Sequence, residues 1–228
     1  MLNLKKHLII LNKIFQDIYS DKELTSQLIF KGGSCLMLFY GLDRFSTDLD
    51  FNIRAKSVNV EAVEKILKKN AALEEYYEKK HTYFWQASYE YGQRKIKIEI
   101  NKRLYPTPQK IAYKDYYGLT IATLAPEQMF AHKLSAIGER SKNRDLYDAW
   151  FMFEKNWDID EGIIRDRTGK TVKEYLLELA EEIPNSLDKR GILNELGEVL
   201  YSDEQKKWAK NNLINTLIRQ MKIRGDLS

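Results

Sequence analysis

The sequence predicts an α+β fold, with a mixed sheet and flanking helices over residues 1–123 and a helical part over residues 124–228. Three observations predict it. Leu4, Leu8, Leu11, Phe15 and Ile18 recur at steps of four and three, the apolar stripe of an amphipathic helix. Residues 48–53 and 95–101 alternate between apolar and polar side chains, the pattern of strands with one buried face. Beyond Thr123 the strand signals cease, and helical periodicity takes over after Pro126, a favourable first helical residue. No Pro/Gly-rich linker separates the two parts, so they are expected to pack together and enclose a cleft.

Each element follows in order. The first helix ends near Ser20 and Asp21. Residues 27–31 read as a short apolar strand running into Gly32, Gly33 and Ser34, and residues 35–40 as a buried helix stopped by Gly41. The strand at 48–53 puts Leu49, Phe51 and Ile53 on one face and Asp48, Asp50 and Asn52 on the other. Val60, Val63 and Leu67 mark a helix, and an aromatic-rich strand covers 82–89. In the strand at 95–101, Ile96, Ile98 and Ile100 face the core, so Glu99 points away from it. Residues 117–123 form a further strand, and Tyr113, Tyr116 and Tyr117 are expected to pack against the sheet. Met129, Lys133, Ala136 and Arg140 then lie along one side of a helix, and a second helix resumes over 145–153 after a polar break.

Composition narrows the function classes. A chain of 228 residues with 43% hydrophobic and 31% charged residues is neither disordered nor collagen-like. No apolar run approaches the roughly 20 residues that span a bilayer. The apolar N-terminal stretch is interrupted by Asn12 and Lys13, which argues against a signal peptide. One cysteine, Cys35, cannot form an internal disulfide, and three histidines offer no zinc spacing, so a cytoplasmic location is expected. A net charge of +4 permits an anionic partner without demanding one.

The chemistry concentrates in residues 31–50. A glycine pair before a helix lets backbone N–H groups approach an anion, and the helix N-terminus adds partial positive charge, so Gly32, Gly33 and Ser34 form a plausible triphosphate cradle. Asp48 and Asp50, at i and i+2 on one strand face, can jointly hold divalent cations. Glu99 lies on the polar face of another strand, and three converging acids would repel one another without a cation. This order of elements suits phosphoryl transfer.

The stretch from Lys31-Gly32-Gly33-Ser34 through Arg44-Phe45-Ser46-Thr47-Asp48-Leu49-Asp50-Phe51 resembles the first motif of the AbiEii/AbiGii nucleotidyltransferase toxins, a branch of the polymerase-beta-like nucleotidyltransferase superfamily. Residues 133–140, from Lys133 to Arg140, and Arg144-Asp145-Leu146-Tyr147-Asp148 are similar to that family's later helical motif. The resemblance spans residues 31–148 and implies a nucleotidyltransferase core with a helical C-terminal part. It implies transfer of a nucleoside monophosphate from an NTP, dependent on Mg²⁺ or Mn²⁺, by the toxin of a type IV toxin–antitoxin or phage-defence pair. The implied partners are a cognate antitoxin, often a transcriptional regulator, and an RNA acceptor, with transfer RNA the leading case. A small-molecule or protein acceptor, and a non-catalytic NTP-binding module, stand as alternatives.

Carried onto this chain, Asp48 and Asp50 are the metal ligands, and Glu99 is either the third ligand or the base for the attacking hydroxyl. Lys133 neutralises the triphosphate with help from Arg44 or Arg140, and Asp148 orients Lys133 or touches the nucleotide. Asp145 reads instead as the cap of the second helix. Ser46 and Thr47, directly before Asp48, serve the turn or, phosphorylated, would repel the triphosphate. The tail from Gln205 interleaves basic and apolar residues, as a packed amphipathic helix or an RNA-binding face.

Overall fold

In the computed structural model, which describes residues 4–90, 94–140, 142–186 and 191–227, the N-terminal stripe forms α1 (Leu4–Ser20). The helix buries His7, Leu11, Ile14, Phe15, Ile18 and Tyr19. Asp21 ends it and starts a second, short helix, α2 (Lys22–Gln27), by accepting hydrogen bonds from the backbone N–H groups of Glu23 and Leu24. The sequence reading missed α2 because six residues carry too few turns to show a period. The chain then enters β1 (Leu28–Lys31), α3 (Gly32–Tyr40), β2 (Leu49–Ile53) and α4 (Val60–Asn70).

Helix α3 begins at Gly32, three residues earlier than expected, because Gly32 adopts φ +79° and turns the chain directly from strand into helix. Gly41 ends α3 in the left-handed region, as its position after the apolar run predicts. Helix α4 buries Val63 and Leu67.

Strands β3 (Ala72–Lys79), β4 (Thr82–Glu90), β5 (Arg94–Asn101), β6 (Ile111–Tyr116) and β7 (Leu119–Leu124) complete one seven-stranded mixed sheet in the order β3-β4-β5-β2-β1-β7-β6. Pairs β2/β5 and β1/β7 are parallel, and the other pairs are antiparallel. Edge strands β3 and β6 were not legible in the sequence, since β3 carries no alternation and its residues are exposed or half-buried throughout. The strand expected at 117–123 starts later: Tyr117 and Gly118, both at positive φ, form the turn between β6 and β7. Tyr113 and Tyr117 are 59% and 83% exposed, whereas Tyr116 packs against Phe15 and Phe39.

The remaining elements are helical: α5 (Pro126–Arg140), α6 (Asn143–Glu154), α7 (Glu161–Thr168), α8 (Val172–Ser186) and α9 (Asp203–Leu227). The chain divides into two units. The first comprises Met1–Gly41, Phe45–Leu104 and Lys110–Leu124, and holds the sheet with α1 to α4. The second comprises Leu42–Arg44, Tyr105–Gln109 and Ala125–Ser228, and holds α5 to α9. The α+β class expected from the sequence therefore stands. The core of the sheet unit lies on the face that carries the buried Phe30, Phe51, Ile98 and Ile100, where Phe15 of α1 lies 4.6 Å from Phe30 and Phe30 5.3 Å from Phe51.

The turn at Gly32 generates a prediction. A Cβ there would lie 2.5 Å from Asp50 Oδ2 and 3.0 Å from Asp50 Cβ, and φ +79° penalises any L side chain. Gly32→Ala should destabilise the protein by about 1–2 kcal/mol from backbone strain alone and should abolish transferase activity by displacing Asp50. Chemical denaturation and an NTP-labelling assay check both effects; wild-type activity in this variant would show that the approach is not needed.

Candidate active site

The sheet unit carries the glycine turn and the acids. In the β1/β2 register Lys31 is opposite Asp50, and in the β2/β5 register Asp50 is opposite Glu99. Opposite residues of neighbouring strands share a face, so Lys31, Asp50 and Glu99 form a row across three strands about 4.8 Å apart. Asp48, two residues before Asp50, shares that side of the chain and lies just ahead of β2. Asp48 and Asp50 are half-buried and Glu99 is exposed.

The approach to Asp48 is held by two side chains. The Ser34 hydroxyl, fully buried in the first turn of α3, donates to the Asp48 carbonyl. Ser34 reaches that carbonyl because α3 starts directly at β1 and brings Ser34 beside the neighbouring strand. One residue earlier, the Thr47 carbonyl accepts from His7 Nε2 at 2.9 Å. A carbonyl can only accept, so Nε2 carries the proton, and Nδ1 faces the Tyr89 hydroxyl at 2.8 Å. His7 was not singled out from the sequence; its place in the apolar stripe of α1 was the available signal. Ser46 is buried in the same stretch, 6% exposed, which withholds its hydroxyl from a modifying enzyme.

The sheet register sets the spacing of the acids. Among the described residues no group of three or more His, Cys, Asp or Glu side chains is gathered to hold a metal ion. A row along parallel strands spaces Asp50 and Glu99 by a strand width instead of clustering them. The donor chemistry still fits a hard divalent cation such as Mg²⁺, which binds through one or two carboxylates plus phosphate and water, not an all-protein cage. Gly32, having no side chain, lets the Asp50 carboxylate approach the start of α3.

The helical unit carries a buried ionic network. Arg44 Nε and Nη2 donate to Asp148 Oδ1 and Oδ2 at 2.6 and 2.7 Å, a bidentate pair with both residues out of solvent. Lys133 Nζ meets Asp145 at 2.7 Å and Asp148 at 2.9 Å, and Arg140 Nε meets Asp145 at 2.9 Å. Lys133 is thus not the solvated surface lysine that an exposed helix position suggests, with a side chain only 13% exposed, whereas Arg140 is 53% exposed. Asp145 does not cap α6. The N-cap is Lys142, without a side-chain bond, and Asp145 turns inward because Lys133 and Arg140 supply partners there. The structure thus gathers Arg44, Lys133, Arg140, Asp145 and Asp148 in one unit, and Gly32, Gly33, Ser34, Asp48, Asp50 and Glu99 in the other.

Burial alone would raise the Asp145 carboxyl, but Lys133 and Arg140 outweigh it and hold it well below the usual carboxylate range. Burial would lower Lys133 and Arg44, and the facing carboxylates instead raise both. A carboxyl whose folded pKa lies below its unfolded value of about 3.9 stabilises the fold fully above about pH 5, and that stability is lost as pH falls through the folded pKa. Thermal denaturation between pH 7 and pH 2 should therefore show an acid limb that Asp145→Asn flattens; an unchanged limb would contradict the network. Asp148→Ala leaves Arg44 buried without its main partner and should cost about 3–5 kcal/mol.

The solved structure of JHP933 from Helicobacter pylori superposes with a TM-score of 0.59 at 20% identity, over 100% of this chain and 92% of that one. Another solved structure, described as a candidate nucleotidyltransferase from H. pylori, superposes with a TM-score of 0.60 at 19% identity, over 100% of this chain and 95% of that one. At such identities the likeness establishes the fold. The uncharacterized protein aq_aa25 of Aquifex aeolicus (strain VF5) is 27% identical over 132 residues, 57% of this chain and 60% of that protein, so the match spans less than two thirds of the relative. The profile described as "Nucleotidyl transferase AbiEii toxin, Type IV TA system" matches residues 13–212. The chain belongs to the AbiEii nucleotidyltransferase toxin family of type IV toxin–antitoxin systems.

Proposed function

We propose that this protein transfers a nucleoside monophosphate from an NTP to an RNA acceptor, transfer RNA foremost, with Mg²⁺ as the cation, as a toxin restrained by a cognate antitoxin. The observation that carries the reading is the Asp50 carboxylate seated against the Gly32 turn, with Asp48 two residues before it and Glu99 in the neighbouring strand.

Asp48 and Asp50 would hold the cation, which when bound neutralises phosphate charge and acidifies the attacking hydroxyl. Glu99, exposed in the same row, accepts the acceptor's hydroxyl proton. The acceptor oxygen then bonds to the α-phosphorus as the bond to the bridging oxygen breaks, and pyrophosphate leaves with that electron pair. Lys133 and Arg140 bind the departing charge. The network sets three cations against two carboxylates, so it carries a net positive charge suited to an anionic ligand. Fully buried Arg44 and Asp148 are positioning residues that fix Lys133.

Helix α9 supports RNA as acceptor. Between Glu204 and Asp226 the chain has no acidic residue. Lys207, Lys210, Arg219 and Lys222 are exposed there, and none enters an ion pair among the described residues. Lys207 to Lys222 spans roughly 22 Å of helix, a length of unpaired positive charge suited to several backbone phosphates. The apolar positions Ala209, Leu213, Leu217 and Met221 are buried, so the helix packs on the protein while these basic side chains stay exposed.

The direct test is incubation with each of four labelled NTPs, Mg²⁺ and total cellular RNA, which should label transfer RNA. Label confined to protein or to small molecules would overturn the acceptor. Asp48→Asn and Asp50→Asn should each abolish labelling with the fold intact, and Lys133→Ala should slow it at least about tenfold, equivalent to about 1.4 kcal/mol. Near-normal turnover in either Asp variant would refute their assigned roles.

A further inference from the structure

The row that contains Asp50 and Glu99 continues past the acids. In the β4/β5 register Phe84 is opposite Glu99, and in the β3/β4 register Tyr77 is opposite Phe84. The Phe84 and Tyr77 rings are stacked, with centroids 4.6 Å apart and planes 13° from parallel. That separation is nearly the spacing between strands, so the rings are stacked along the row and the far face of Phe84 looks back toward β5 and Glu99. The far side of Tyr77 is covered by Lys79 Nζ, 4.6 Å from its centroid, which leaves the Phe84 face as the one directed at the acids.

Lys97 completes the group. It lies two residues before Glu99 on the same face of β5, roughly 6.7 Å along the strand, and both residues are exposed. Among the described residues neither side chain has a hydrogen-bond or ion-pair partner. Neighbouring lysines on the hairpin are engaged: Lys95 with Glu74 at 2.9 Å, and Lys102 with Glu78 at 2.5 Å. The fold does not obviously need this outer cluster, because the opposite face already carries the β3–β4–β5 packing. There Trp85, Ile96 and Ile98 are buried, and Tyr76 stacks on Trp85 at 5.2 Å.

An aromatic face, an unpaired cation and an unpaired carboxylate on neighbouring sheet positions match the three parts of a nucleotide. We infer that Phe84, Lys97 and Glu99 form the acceptor subsite, holding an unpaired nucleotide of the RNA with its base on Phe84, a backbone phosphate at Lys97 and its attacking hydroxyl at Glu99. The inference rests on the RNA-acceptor reading above and adds where the acceptor binds. It also explains the direction of attack: the acceptor enters from the β4 side of Glu99, and the triphosphate lies on the Gly32 side of Asp50. A base must leave its helical stack to meet the ring, so the subsite selects single-stranded nucleotides over duplex.

The test uses the full chain with labelled NTP, Mg²⁺ and total transfer RNA. A base stack is worth about 1–3 kcal/mol, or about 5- to 150-fold, so Phe84→Leu should raise the KM for RNA by at least about fivefold, leave the KM for NTP unchanged and keep the melting temperature. Phe84→Trp should restore the RNA KM, and its fluorescence should be quenched by transfer RNA without NTP. Lys97→Gln should reduce the slope of log affinity against log salt by about 0.7, one single-stranded phosphate, a measurement that holds even where Phe84→Leu folds poorly. An unchanged RNA KM, a fall confined to NTP, or an unchanged salt slope would overturn the subsite while labelling of RNA by the wild type leaves the function standing. A wild type that labels no RNA would overturn both.

Discussion

The approach of the Asp50 carboxylate to the backbone at Gly32 is the constraint on which the site in the sheet unit depends. Antiparallel pairing of β1 with β2 puts Lys31 opposite Asp50, and the next residue must then turn out of the strand at once to make room for the carboxylate. Only glycine takes φ +79° there without strain and without a clash. The same turn starts α3, so the Ser34 hydroxyl reaches the Asp48 carbonyl while His7 holds the carbonyl before it. Both acids are therefore fixed by the backbone geometry of a single turn, before any ligand is considered.

The helical unit solves a different problem, that of keeping cations available where burial opposes charge. Arg44 and Lys133 stay charged because Asp148 and Asp145 face them at hydrogen-bond distance. A buried ion pair is weak evidence for stability, since desolvation offsets most of the attraction. Its value here is orientation: Asp148 is shared between Arg44 and Lys133, and Asp145 between Lys133 and Arg140, so the three basic groups are linked in sequence. Arg140, the most exposed of them, is placed at the end of that chain.

Much of this was legible in the residues themselves. Strict alternation disclosed β2 and β5 and put Asp50 and Glu99 on a polar face, because a two-residue period survives in any strand with one buried side. The glycine pair before an apolar run located the β1–α3 turn. Elements without a period escaped, as α2 is too short and β3 lies at a solvent-exposed edge. Side-chain commitments escaped too. Nothing in a linear sequence shows that the Ser34 hydroxyl donates to a carbonyl fourteen residues away. Asp145 resembled a helix cap because acids favour first turns, and only the tertiary arrangement supplies the Lys133 and Arg140 groups that turn it inward.

The central claim is that Asp48 and Asp50, held by the Gly32 turn, are the groups that present a divalent cation to an NTP. The most direct measurement is anomalous diffraction from crystals grown with Mn²⁺ and an NTP analogue that cannot be cleaved between the α- and β-phosphates. The account predicts an anomalous peak at about 2.0–2.3 Å from carboxylate oxygens of both Asp48 and Asp50, octahedral and shared with phosphate oxygens. A well-ordered triphosphate whose cation touches neither aspartate would contradict it.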